Sequence, residues 1–130
     1  MNKLSITASS LEDLVVKNST EDNEFFSDAS AKDGGAAAYA SPKELFLSSV
    51  GSCKVMTVLL YAKRKGWAVD DVKIHLEMDA SYSQEGYTIY QNIEILSNLD
   101  KDQENRLKEI ADRCPVAHYM KSGVTFANSK

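Results

Sequence analysis

The sequence predicts an α+β fold in which antiparallel strands cover a long buried helix. Three observations carry that prediction. Residues 70–82 and 87–98 alternate apolar and polar side chains, the pattern of half-buried strands, around a turn at Gln84-Glu85-Gly86. Residues 42–65 form an apolar run with helix signals at both ends. The predicted order β-β-β-α-β-β-α-α-β places antiparallel strand groups beside helices, with no repeat, low-complexity tract or linker between them. The 130 residues suit one domain, 1–130, large enough to build a core without disulfide or metal staples.

Taken in order, "KLSITAS" alternates, "DLVVKNS" is β-branched and "NEFFSDA" carries two aromatics, so the chain opens as a meander. Its turns are expected at Ser9 to Asp13 and Ser19 to Asn23. The small-residue stretch "ASAKDGGAAAYAS" reads as a flexible loop. Ser41, Pro42 and Glu44 then occupy the N-cap, first and third positions of a helix, the arrangement of a capping box. Lys63, Arg64 and Lys65 complement its negative end, and Gly66 stops it. Leu45, Phe46, Leu47, Val50, Val55, Met56, Val58, Leu59 and Leu60 put apolar groups on nearly every face of this helix. A chain this short has difficulty covering it, and an intertwined homodimer would supply the missing cover.

Asp100 caps a second helix, "KDQENRLKEIADR", whose narrow apolar stripe is Leu107, Ile110 and Ala111, and Pro115 breaks it. A short helix, "PVAHYMKS", and a last strand, "GVTFANS", complete the chain.

Composition narrows the function. With 43% hydrophobic and 26% charged residues the chain is globular, and a net charge of -4 with scattered lysines excludes the clustered cationic footprint that nucleic acid requires. The long apolar segment is interrupted by Glu44, serines and Lys54, so it reads as a core helix and not as a membrane span. The opening "MNKLSITASS" lacks the apolar run of a secretory signal, and the expected compartment is the cytoplasm. In a reducing compartment two cysteines leave buried packing, metal ligation or thiol chemistry as their roles.

Cys114 precedes Pro115 and so stands at the start of a helix, where unsatisfied amides and the helix dipole favour a thiolate, with Arg113 and His118 close in sequence. Cys53 lies mid-helix, with Ser49 and Thr57 one turn away to either side. Local physics therefore makes Cys114 the readier of the two to ionise, while plain packing remains an alternative for both. Cys53, His75, Cys114 and His118 show no spacing that would set two zinc ligands on one element, and no metal is expected. His75 points outward from its strand, and Tyr82, Tyr87 and Tyr90 read as sheet packing.

Four features in order, the Gly34-Gly35 loop, S-P-x-E-L, a cysteine in a long apolar helix ending Y-A-x-R-K-G, and R-C-P-V after an amphipathic helix, resemble the OsmC/Ohr family of osmotically inducible and organic hydroperoxide resistance proteins. The resemblance implies an α+β, OsmC/Ohr-like fold, an intertwined homodimer with the long helices at its centre, and a cofactor-free thiol peroxidase site. It implies that Cys53 attacks a small-molecule hydroperoxide and becomes a sulfenic acid, that Cys114 resolves it as an intramolecular disulfide, and that a thiol or dithiol reductant restores both. A catalytic glutamate is implied too, and Glu44 is the candidate. The family's glutamate directly follows the proline, whereas here Lys43 does, and Glu44 has the capping box as its other role. An ideal helix puts Glu44 and Cys53 on opposite faces, roughly 13 Å apart along the axis. The family's N-terminal arginine is absent, leaving Lys17, Lys32 or Lys43 as substitutes. The other function compatible with the resemblance is an OsmC-like protein that binds a small apolar ligand or performs different thiol chemistry.

Overall fold

The computed structural model describes residues 3–129. The chain divides into two compact units, one ending at Phe46 and the other beginning at Leu47.

The first unit holds a three-stranded antiparallel sheet in the order β1-β2-β3: β1 (Thr7–Glu12), β2 (Val15–Ser19) and β3 (Glu24–Ser27). Glu12 pairs with Val15, so the first turn is the two residues Asp13 and Leu14, later than the sequence suggests. Asp13 makes this possible by adopting a left-handed conformation (φ 47°), which a short polar side chain tolerates. The expected flexible loop is ordered. Asp28 is 3% exposed, and its carboxylate accepts from the amides of Ala29 (2.7 Å) and Ala38 (3.1 Å), pinning both ends of a loop that contains a 3-10 turn at Ala31–Asp33. Gly35 runs so close to the Ala29 backbone that a Cβ would overlap it, so only glycine fits.

Helix α1 (Pro42–Lys65) has the bounds its sequence signals predict. The Ser41 amide donates to Glu44 Oε1 (2.9 Å) and the Glu44 amide donates to Ser41 Oγ (3.3 Å), closing the capping box.

In the second unit, β4 (Val69–Met78) and β5 (Ile89–Ser97) pair antiparallel, with Val72, Ile74, Leu76 and Met78 on one face. The hairpin loop is wider than the predicted turn, running from Asp79 to Thr88, and it carries Tyr82 and Tyr87 away from sheet packing. Tyr82, Tyr87 and Tyr90 are all at least half exposed. Helix α2 (Lys101–Ala111) starts in a second capping box, Asp100 with Gln103, and α3 (Pro115–Ser122) starts at the N-cap Cys114. Val58 and Ala62 of α1 meet Leu107 and Ala111 of α2 in the core, with Trp67, Val72, Ile93 and Ile95 packed around them. Gly51 lets α1 approach β4, since a Cβ there would already touch Leu76 and Ile74.

Residues 123–129 form no strand, because no strand of the described chain pairs with them, and Phe126 is 97% exposed. The long helix is buried on one side only within the chain. Its buried residues in the second unit, Val50, Gly51, Lys54, Val58 and Ala62, follow the three-to-four spacing of a single stripe, while Met56, Leu59 and Leu60 stay exposed. By length and hydropathy alone α1 qualifies as a membrane span, but its stripe carries a charged lysine and packs on α2 and the hairpin, the behaviour of a core helix.

Candidate active site

The two cysteines, 61 residues apart in sequence, come together in the fold. Cys53 is half-buried on α1, and Cys114 is 1% exposed at the start of α3, near enough that the Cys53 side chain acts on the Cys114 thiol. Both are free thiols. Pro115 fixes the helical conformation at the first position of α3, and the Ala117 amide donates to Cys114 Sγ (3.3 Å), so the sulfur itself caps the helix.

The expectation that Cys114 ionises more readily is overturned. Burial pushes the Cys114 thiol above the ordinary cysteine range, and hydrogen bonding and charge from Cys53 push the same way. The Ala117 amide and the Lys54 ammonium pull in the opposite direction without prevailing. The helix-start argument fails because desolvation, invisible in the local sequence, outweighs one amide. Cys114 therefore rests protonated beside Cys53. Thr57 does not reach the Cys53 sulfur, since its hydroxyl donates to the Cys53 carbonyl (2.7 Å).

Sequence reasoning passed over Lys54. It is 6% exposed, and its Nζ donates to Asp112 Oδ1 (3.2 Å) and to the Ala111 carbonyl (3.4 Å), the end of α2 two residues before Arg113 and Cys114. A buried ammonium needs such acceptors, because desolvating it unpaired costs several kcal/mol. Gln91 of β5 donates to the same Asp112 oxygen (3.4 Å). The available signal was spacing: residues 50, 54, 58 and 62 form one helical stripe, and a lysine within it faces the interior.

Glu44, the third candidate, holds its carboxylate on Ser41, whose hydrogen bonds depress its pKa. Of the lysines considered as substitutes for an arginine, Lys17 lies 4.0 Å from Glu24, and the cation beside the thiols is Lys54 instead. His75 points outward as expected and contacts Glu77 (2.9 Å). Among the described residues no group of three or more His, Cys, Asp and Glu side chains is placed to hold a metal.

Two hollows flank the site. One, about 330 Å3, has Val50, Ile89, Ala117 and Met120 on its apolar side and Lys54 and Gln91 among its polar groups. The other, about 460 Å3, lies over Cys114 and Pro115 and is edged by Arg113, His118 and Lys121. Of the apolar residues near Cys53 along α1, Val50 is buried, but Met56 and Leu60 face outward.

Fold and site together define an α+β protein with a vicinal dithiol in space, one sulfur on a core helix and the other capping a second helix. The chain belongs to the OsmC-like protein family, whose pattern matches residues 33–128. Solved structures share the fold at low identity. An OsmC like protein from Mycoplasma pneumoniae superposes with TM-score 0.78 at 22% identity, over 95% of this chain and 89% of that one. An organic hydroperoxide resistance protein from Elizabethkingia anophelis gives 0.69 at 18%, over 91% and 87%. An organic hydroperoxide resistance protein OsmC from Legionella pneumophila gives 0.64 at 15%, over 91% and 88%. A search of curated proteins returns no match.

Proposed function

We propose that this protein is a homodimeric, cytoplasmic thiol peroxidase that reduces organic hydroperoxides or hydrogen peroxide through Cys53 and Cys114, a function in oxidative-stress defence. The observation that carries the reading is the proximity of two cysteine side chains 61 residues apart in sequence, one half-buried and one buried and protonated. Solved structures of the same fold described as organic hydroperoxide resistance proteins support the substrate class.

In the proposed cycle the Cys53 thiolate attacks one peroxide oxygen, the O–O bond breaks, and the other oxygen leaves as an alcohol or water after taking a proton. Cys53 is then a sulfenic acid. Cys114 gives up its thiol proton and attacks that sulfur, forming the disulfide and releasing water. A thiol or dithiol reductant returns both cysteines to thiols by exchange. The hollow beside Lys54 fits a small substrate with an apolar body, and no cofactor enters the cycle. Glu44 is assigned an accessory catalytic part, acting on Cys53 from the second copy or after leaving Ser41. On that assignment Glu44→Gln slows the first oxidation and leaves later disulfide exchange unchanged.

Titration of the reduced protein with cumene hydroperoxide and with hydrogen peroxide, following thiols and mass, tests the reading. Two thiols lost per chain as an intramolecular disulfide, far faster than with free cysteine, is the expected result. Cys53→Ser abolishes the reaction, and Cys114→Ser keeps one oxidation per chain. A rate no better than that of free cysteine would sink the proposal.

A further inference from the structure

Resting on the dithiol reading above, we propose that Lys54 is a positioning residue for the cysteine pair: its buried ammonium ties the end of α2 to α1, keeps Cys114 against Cys53, and provides the positive charge beside which the Cys114 thiolate forms. The geometry points to this residue alone. Lys54 adjoins Cys53 on α1, and its two acceptors, the Ala111 carbonyl and the Asp112 carboxylate, immediately precede Arg113 and Cys114. One side chain therefore links the two stretches of chain whose sulfurs must meet. It is 6% exposed, so its charge is little screened, and it already opposes the burial that keeps Cys114 protonated.

The other charged or titratable groups at this place are few. Cys53 on α1 bears on Cys114 directly, Asp112 is shared by Lys54 and Gln91 of β5, and Arg113, His118 and Lys121 edge the hollow over Cys114. Among the described cations, only Lys54 is buried and bonded to the junction between α2 and α3.

An aromatic disulfide, 4,4′-dithiodipyridine, tests the proposal without any peroxide. Cys53 attacks it, releasing one thiopyridone and leaving a mixed disulfide. Cys114 then attacks the Cys53 sulfur, releasing a second thiopyridone as the internal disulfide forms. The second release reports Cys114 alone. Lys54→Met is expected to slow it about tenfold and to move its pH midpoint up by about one unit, the size of a lost neighbouring charge. Lys54→Arg keeps the charge and should restore most of the rate. Asp112→Asn replaces the ion pair at the junction by a weaker neutral hydrogen bond while Lys54 keeps its charge, so the second release slows. A folded Lys54→Met variant with the wild-type second phase and pH profile overturns the proposal. Should Lys54→Met fail to fold, an unchanged second phase in Asp112→Asn overturns it equally. If these shifts appear but the wild type does not consume hydroperoxide, the role of Lys54 stands and the peroxidase reading falls.

Discussion

At the scale of single residues, the pair of cysteines is asymmetric, and the asymmetry has a pH signature. Cys114 is held protonated by burial, with its pKa above the ordinary range. As pH rises past the usual cysteine value of about 8.5, position 114 ionises first in the unfolded chain, which draws the equilibrium toward unfolding. The stability due to the Cys114 thiol is thus complete below that pH and is lost as pH climbs through its higher folded value. Urea midpoints measured from pH 7 to 10 should fall more steeply for the wild type than for Cys114→Ser. Iodoacetamide mapping at pH 8 should label Cys53 well before Cys114. Equal labelling would contradict the asymmetry. None of this was legible locally, because the same residues Arg113, Cys114 and Pro115 read in isolation as an activated thiol. Lys54 was hidden for a related reason, since in a run of apolar residues it reads as an interruption, and only the stripe it shares with Val50, Val58 and Ala62 shows that it points inward.

Among the elements, those with chemical punctuation were legible to the residue. Helix α1 begins at Ser41-Pro42 and ends at Gly66 because the cap, the proline and the glycine each act through backbone hydrogen bonds a few residues long. The same holds for Asp100 and Gln103 at α2. What failed was the segment whose state depends on a distant partner: "GVTFANS" has strand-like residues, but a strand exists only where another can pair with it. Core burial and capping also separate in energy. Leu107 is 0% exposed at the contact of α2 with α1, so Leu107→Ala should cost about 3 kcal/mol by transfer and cavity formation together. Asp100→Ala removes one cap and should cost about 1 kcal/mol. Urea unfolding of both variants measures the difference, and a Leu107→Ala cost no greater than that of Asp100→Ala would place the core elsewhere.

For the whole molecule the governing quantity is apolar surface that one chain leaves in water. Met56 is 59% exposed, Leu59 42% and Leu60 58%, and with Cys53 they follow one another at three and four residues along α1, so a single helix face is both apolar and adjacent to the Cys53 sulfur. Burying a leucine-sized side chain fully is worth about 1.5–3 kcal/mol, enough for a few such residues to drive association. The shortage of cover was already legible in the apolar residues on nearly every face of α1, although which face stays bare was not, since that depends on where the hairpin and α2 pack. A second copy is the occupant we propose: an isologous contact sets the same stripe of both chains together, and it would exclude water from Cys53 without a further partner. Sedimentation of the reduced wild type is accordingly expected at twice the chain mass at micromolar concentration. Leu60→Asp, which places a carboxylate in that contact, should shift the protein to the chain mass, and its Cys53 should then react with water-soluble iodoacetamide without the delay that a covered sulfur shows. A wild type that sediments as a single chain, with Cys53 equally open in both proteins, would mean that this face is covered by something other than its own copy.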